Sequence, residues 1–239
     1  MLVRKLGNSD VRLQLQKITN LKLAAGELDG VIIPAENVFS LWHIVGRPHE
    51  KRGYVKGMLL SNGKVVEGVG GGLCQMANLL FWLFLHGPFS IEERYHHSRD
   101  VFPDSGRVLP FGSGATILYN MVDLRMKNIS NSPLQLKVWL TDTHLKGQIL
   151  SPVQLETKYH CFEKNHMFVK KNDQYYRYNE IWREELVEGK VIKTEKVITN
   201  FAPVMYEITD EYIEEHDFEV LDLSKENVEK GQNLIENLA

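Results

Sequence analysis

GVGGGLCQMANLLFWLFLHG, residues 68–87, is the stretch on which the reading of the fold turns. Gly70, Gly71 and Gly72 tolerate positive φ and let other groups come close to the backbone. Behind them an apolar run through Met76, Leu79, Leu80, Leu83 and Phe84 predicts a helix that stops near Gly87-Pro88. Cys74 falls in its first turn. Free backbone N–H groups and the helix macrodipole favour an anion there, so the expectation is a thiol of lowered pKa that can act as a nucleophile. The competing reading is a small buried apolar residue, the usual state of a free cysteine. A phosphate cradle fits less well. Leu73 stands where a third glycine of a dinucleotide pattern belongs, and no Lys-Ser or Lys-Thr pair follows to make a P-loop.

Upstream, residues 10–28 predict a helix with Leu15, Ile18, Leu21, Ala25 and Leu28 on one face, capped by Ser9 or Asp10 and ended by Gly30. Phe39 to Trp42 is an aromatic patch expected to close over the core. Residues 54–60 and 64–69, joined through Ser61-Asn62-Gly63, have the pattern of a hairpin. Downstream, residues 91–97, 115–126, 134–140 and 144–150 read as strands, with a loop through Pro103, Gly106, Pro110 and Gly112. The order is that of an α+β fold, with the Cys74 helix packed on an antiparallel sheet. Composition shifts at Ser151-Pro152. The expectation is a domain of residues 1–150 and an appended extension of residues 151–239, a β-meander with a helical end and no catalytic residue.

Composition narrows the function. At 239 residues the chain can bury a full core, and 43% hydrophobic with 25% charged residues is ordinary for a soluble protein. A net charge of −3 leaves no electrostatic footprint for nucleic acid. Two cysteines, Cys74 and Cys161, fit a reducing compartment rather than a disulfide framework. The N-terminus lacks an apolar signal segment, and the longest apolar run, Leu79 to Leu85, is too short for a bilayer. The expected location is cytoplasmic, with no membrane anchor.

A cysteine nucleophile needs a base, and His96 and His97 follow the helix closely. Neighbouring strand residues point to opposite faces, so only one of the two can meet Cys74. Asp100 and Asp123 are the candidates to orient it. Gln75 offers an amide and Cys74 its backbone N–H to an oxyanion. Arg94, Arg99 and Arg107 are suited to holding a carboxylate. Cys74, His96, His97 and Asp100 contain ligand types for zinc, but without metal-site spacing, so neither a metal nor a cofactor is expected.

Five separated motifs carry a resemblance. VFSLWHIVGRPHEKRGY (38–54), GVGGGLCQMANLL (68–80), ERYHHSRDVFP (93–103), FGSGATILYN (111–120) and VDLRMKN (122–128) resemble the VanW family, over roughly residues 17–150. That family was first noticed in vancomycin-resistance gene clusters, and the tail is similar to the extension of its shorter members. The resemblance implies work on peptidoglycan, with a stem peptide or precursor as partner and, by analogy with some members, L,D-transpeptidase-like acyl transfer through a cysteine. It implies Cys74 as nucleophile and His97, which matches the family's His-Ser, as base. Asp123 completes the expected catalytic set, with Gly71, Gly72, Gln75 and Arg94 as substrate-binding residues. Where many members carry an aspartate before Ala-Thr, this chain has Gly114, and where many have Pro-Gly it has Pro34-Ala35. If that aspartate orients the histidine, another group must do so here. A non-catalytic binder of wall precursors or of a resistance enzyme is the second implied role.

Overall fold

The computed structural model describes residues 1–6, 11–61, 64–96, 99–101, 103 and 109–223. Its centre is helix α3, numbered by chain order, which spans Leu73–Leu85 and begins at Gly72. Gly72 holds φ at +95°, and no side chain caps the helix start. Gly71 is needed for a different reason. A Cβ there would lie 2.0 Å from the carbonyl carbon of Gly57, so two backbone segments cross where only glycine fits. Met76, Ala77 and every residue from Leu79 to Leu85 are buried, which makes α3 apolar on all sides and therefore surrounded.

A four-stranded sheet covers one side of it, chiefly through the strand His144–Leu150. Strands β1 (Leu2–Lys5), β2 (Ile32–Ile33), β8 (Leu134–Leu140) and β9 (His144–Leu150) form an antiparallel sheet in the order β1-β9-β8-β2. On β8 the alternation puts Leu134, Leu136 and Val138 inward. At Gly147 of β9 an added Cβ would lie 3.1 Å from Leu83 and 3.2 Å from Leu79, so α3 presses directly on this sheet. A second sheet runs β3-β7-β6 (Val38–Ser40, Arg125–Asn128, Phe89–Glu93). From it Phe39 and Phe89 pack on Phe84, with ring centroids 4.9 and 4.5 Å apart.

Helix α1 (Val11–Leu28) turns a more polar face inward than its periodicity suggests. Leu21, Ala24, Ala25 and Leu28 are buried, but so are Lys17 and Asn20, whereas Leu15 is exposed. The reason is the glycine crossing. Asn20 donates to Val55 O (3.0 Å) and Gly71 O (2.9 Å) and accepts from Val55 N–H (2.9 Å), tying α1 to both segments. The hairpin β4 (Lys56–Ser61) and β5 (Lys64–Val69) pairs as expected, while its Asn62-Gly63 turn lies outside the described residues, as do Ser9 and Asp10.

The expected strand over residues 115–126 is instead an irregular segment. Leu118 and Val122 bridge each other around a turn in which Asn120 takes φ of +63°, leaving only the last residues for β7. The helix α2 (Leu41–Val45) lies alongside.

Beyond Ser151 the chain forms the expected meander. β10 (Thr157–Lys171), β11 (Gln174–Val187) and β12 (Lys190–Pro203) are antiparallel, and β13 (Glu219–Asp222) adds in parallel to β10 after the short helix α4 (Asp210–Glu215). The meander does not stand apart from the rest. Cys161, Ile181 and Ile198 join the same hydrophobic core as α3, and Arg183 donates to Phe89 O at 2.8 Å.

Candidate functional site

The first turn of α3 opens on a cavity of about 360 Å³. Gly72, Cys74, Gln75 and Asn78 form one wall. Arg94, His96, Arg99, Asp100, the run from Leu109 to Gly114, and Arg4, Lys17 and Asn200 also line it. An extended run, residues 114–117, lines up with the helix. Its Ala115 N–H donates to Asn78 Oδ1 (2.8 Å) and its Ile117 N–H faces the Cys74 sulfur. On its other edge Thr116 N–H donates to Tyr95 O (2.7 Å), which places the residues just before His96 beside it.

Cys74 is half-buried, and burial pushes its thiol above the ordinary value, although the Ile117 and Cys74 N–H groups pull the other way. This corrects the expectation of a thiol lowered by the helix N-terminus. Desolvation of a thiolate outweighs two backbone dipoles. His96 stands exposed at the cavity rim, and partial desolvation followed by the Arg94 charge keeps its imidazole below the usual pKa. A neutral thiol therefore shares the cavity with a neutral imidazole.

Among the described residues Arg94 is one of four cationic side chains that line the cavity, with Arg4, Lys17 and Arg99. Its Nε donates to Gly114 O (3.0 Å), and its Nη2 to Gly112 O and, at 3.4 Å, to Asn200 Oδ1. The guanidinium lies over Phe81, 5.1 Å from the ring centroid, and burial lowers its pKa to about 10, which still leaves it charged at neutral pH. Among the described residues no carboxylate pairs with it. Asp100, on the same cavity, is held by Arg177 at 3.2 Å and by the Tyr206 hydroxyl at 2.9 Å.

Of the residues expected to serve the site, Gly72, Cys74, Gln75 and Arg94 line the cavity. Gln75 also donates to Lys5 O (2.7 Å), which leaves its carbonyl oxygen for other partners. Gly71 serves the glycine crossing instead of the cavity. His97 lies outside the described residues. Asp123 is not a lining residue. Its carboxylate accepts from Ser40 Oγ (2.5 Å), Trp42 N–H (3.1 Å) and Leu124 N–H (2.8 Å), so it anchors the start of α2. Lys17, Asn78 and Asn200 were not legible as site residues. Asn78 had a signal, since it lies four residues after Cys74 and so on the same helix face. Nothing in the sequence marks Asn200, which reaches the cavity only through the register of β12.

A cysteine, an imidazole and a guanidinium with no carboxylate partner among the described residues thus line one cavity of an α+β fold. The description VanW like protein matches residues 16–150. The chain is 32% identical over 203 residues to the vancomycin B-type resistance protein VanW of Enterococcus faecalis, covering 84% of this chain and 74% of that protein. It is also 30% identical over 118 residues to the uncharacterized protein YoaR of Bacillus subtilis, 49% of this chain and 37% of that one. The chain belongs to the VanW family. No solved structure matches it. Among the described residues no helix is long and apolar enough to cross a membrane.

Proposed function

We propose that the protein is a cysteine-dependent acyl transferase or peptidase acting on a peptidoglycan stem peptide or its precursor, and that this activity underlies a link to glycopeptide resistance. The observation that carries the reading is Arg94, a half-buried cation with no carboxylate partner among the described residues, lining the same cavity as Cys74. A stem peptide brings a terminal carboxylate for the guanidinium and an amide carbonyl for the sulfur. The neutral thiol gives its proton to a neutral imidazole as it attacks, so the pair works by general base catalysis and needs no preformed thiolate. His96 is the described imidazole, and His97 is the one favoured by the family's His-Ser. Water or a second amine then accepts the acyl group, giving trimming or a cross-link.

Incubation with stem tetra- and pentapeptides, followed by acid quench and mass spectrometry, is expected to show an acyl adduct on Cys74. The adduct disappears in Cys74→Ala, and loss in His96→Ala or in His97→Ala names the base. The raised thiol pKa and the engagement of Asp123 in the α2 cap favour a second reading, a precursor-binding accessory protein. Saturable binding of the same peptides, with no adduct, no turnover and no effect of Cys74→Ala, would establish that one.

A further inference from the structure

We infer that Asn78 is the oxyanion donor of this site, presenting its Nδ2–H to the carbonyl oxygen of the group that Cys74 attacks. The inference rests on the acyl-transfer reading and adds to it a residue that neither the motifs nor the family description assigns.

Three observations converge on Asn78. The first is its orientation. The side-chain oxygen accepts the Ala115 N–H at 2.8 Å, and only the oxygen of an amide can accept, so the NH₂ group must face the other way. The second is that this NH₂ group makes no hydrogen bond to the described residues, while Asn78 lines the cavity and is only half-buried. The third is placement. Asn78 follows Cys74 by four residues on α3, where side chains stand about 5–6 Å apart, room for one carbonyl group between sulfur and amide.

Gly114 explains how the amide stays in place. A Cβ at that position would lie 2.3 Å from Asn78 Oδ1, so a side chain at 114 and this amide cannot coexist without displacement. The glycine therefore makes room for the oxygen that fixes the donor. A preorganised donor of this kind costs nothing to orient at the moment of reaction.

In the step itself a carbon–sulfur bond forms as the carbonyl π pair moves onto oxygen, and that oxygen accepts the Asn78 N–H. The thiol proton passes to the imidazole. When the tetrahedral adduct collapses, the pair returns to the carbonyl and the leaving group departs, taking the proton back if it is an amine. Alkylation of the same sulfur by iodoacetamide displaces iodide and develops no oxyanion, so it provides the control.

The test compares acylation by p-nitrophenyl acetate with alkylation by iodoacetamide on the intact chain, both followed at Cys74 by mass spectrometry. Asn78→Leu removes the amide altogether. Asn78→Asp is isosteric and keeps the acceptor for Ala115 N–H while losing the donor. Both are expected to slow acylation about a hundredfold, the usual effect of losing one oxyanion donor. In Asn78→Leu the alkylation rate is expected to stay within about twofold of the parent, because no oxyanion is at stake. Acylation at the parent rate in both variants would overturn the inference and leave the acyl-transfer reading standing. Acylation and alkylation falling together would also overturn it, since Asn78 would then only shape the surroundings of Cys74. A parent chain acylated at Cys74 by neither the ester nor the stem peptides would overturn both.

Discussion

Helix α3 and strand β11 are both central and both buried, yet they are buried in opposite ways. From Leu79 to Leu85 the helix puts hydrocarbon and aromatic rings on every side. The strand buries Arg177, Asn179, Glu180 and Arg183 alongside Tyr178 and Ile181. For the helix, burial is favourable in itself, at about 25 cal/mol for each Å² of apolar surface removed from water. For the strand it is favourable only because each polar group has a partner. Arg177 meets Asp100, Arg183 meets Glu195 and the Phe89 carbonyl, and Asn179 meets Phe111 O and Glu163. Glu180 accepts from Tyr178, Trp182, Asn165 and Lys196. Several of those partners belong to the part of the chain before Ser151. The polar strand therefore helps to join the two parts, alongside Cys161, Ile181 and Ile198 in the common core, and the difference locates the weak points of the molecule.

The largest effect follows from that joint. A fragment of residues 1–150 loses Cys161, Ile181 and Ile198 from the common core, together with the side chains that satisfy Phe89 O and Phe111 O. It is expected to show no cooperative thermal transition by calorimetry. A fragment that melts cooperatively would mean that α3 suffices and the strand is decoration.

Single substitutions come next. Arg177→Met removes the buried guanidinium that pairs with buried Asp100 and is expected to cost about 3–5 kcal/mol in chemical denaturation, with much of it restored by adding Asp100→Leu. Leu79→Ala, fully buried on α3, is expected to cost about 2–5 kcal/mol. No second substitution of opposite polarity should restore that loss, because what is missing is volume. Rescue at one site and none at the other would confirm that the two regions are held by different forces.

The carboxylate of Glu180 and the two thiols respond to opposite ends of the pH scale. Burial raises the pKa of Glu180, but the hydrogen bonds from Trp182, Tyr178 and Lys196 outweigh it, and the net shift is downward. The folded state then binds fewer protons than the unfolded one. The stability this contributes is present above the unfolded value of about 4.3 and is lost as pH falls through the folded value. Burial raises Cys74, and raises Cys161 to about 12. Their contribution is present below the unfolded thiol value of about 8.5 and is lost as pH rises toward the folded values. Denaturation midpoints measured from pH 3 to pH 10 are expected to show a shallower acid-side slope in Glu180→Gln and a shallower alkaline-side slope in the double Cys→Ala variant.

The smallest effect is kinetic. Cys74 opens on the cavity, whereas Cys161 is buried and donates to Leu85 O at 3.4 Å. At pH 8 iodoacetamide is expected to label Cys74 before Cys161, and both more slowly than a free thiol. Equal rates at the two cysteines would erase the distinction between an accessible thiol and a packed one.

Much of the helical half was legible because its signals are local or periodic. The glycine run announced a helix start, the apolar run announced α3, and alternation announced β8, β9 and the meander. Cys74 and Arg94 were legible as candidates for their chemistry, and the structure brings them to one cavity. Asp123 looked equally suitable on paper, since nothing in a sequence tells a carboxylate aimed at a cavity from one that caps a neighbouring helix.

The sequence by itself determined the fold class, the place of α3 and the position of Cys74 in its first turn, because hydrophobic periodicity and glycine steric freedom act over short distances. Only the tertiary structure decided the rest. It packed the extension into the core, brought Asn200 from 126 residues beyond Cys74 onto the same cavity, and set Asn78 against Ala115 across the gap that Gly114 leaves open. It also reversed the sign of the Cys74 shift, since a helix terminus is written in the sequence but the depth of burial around it is not.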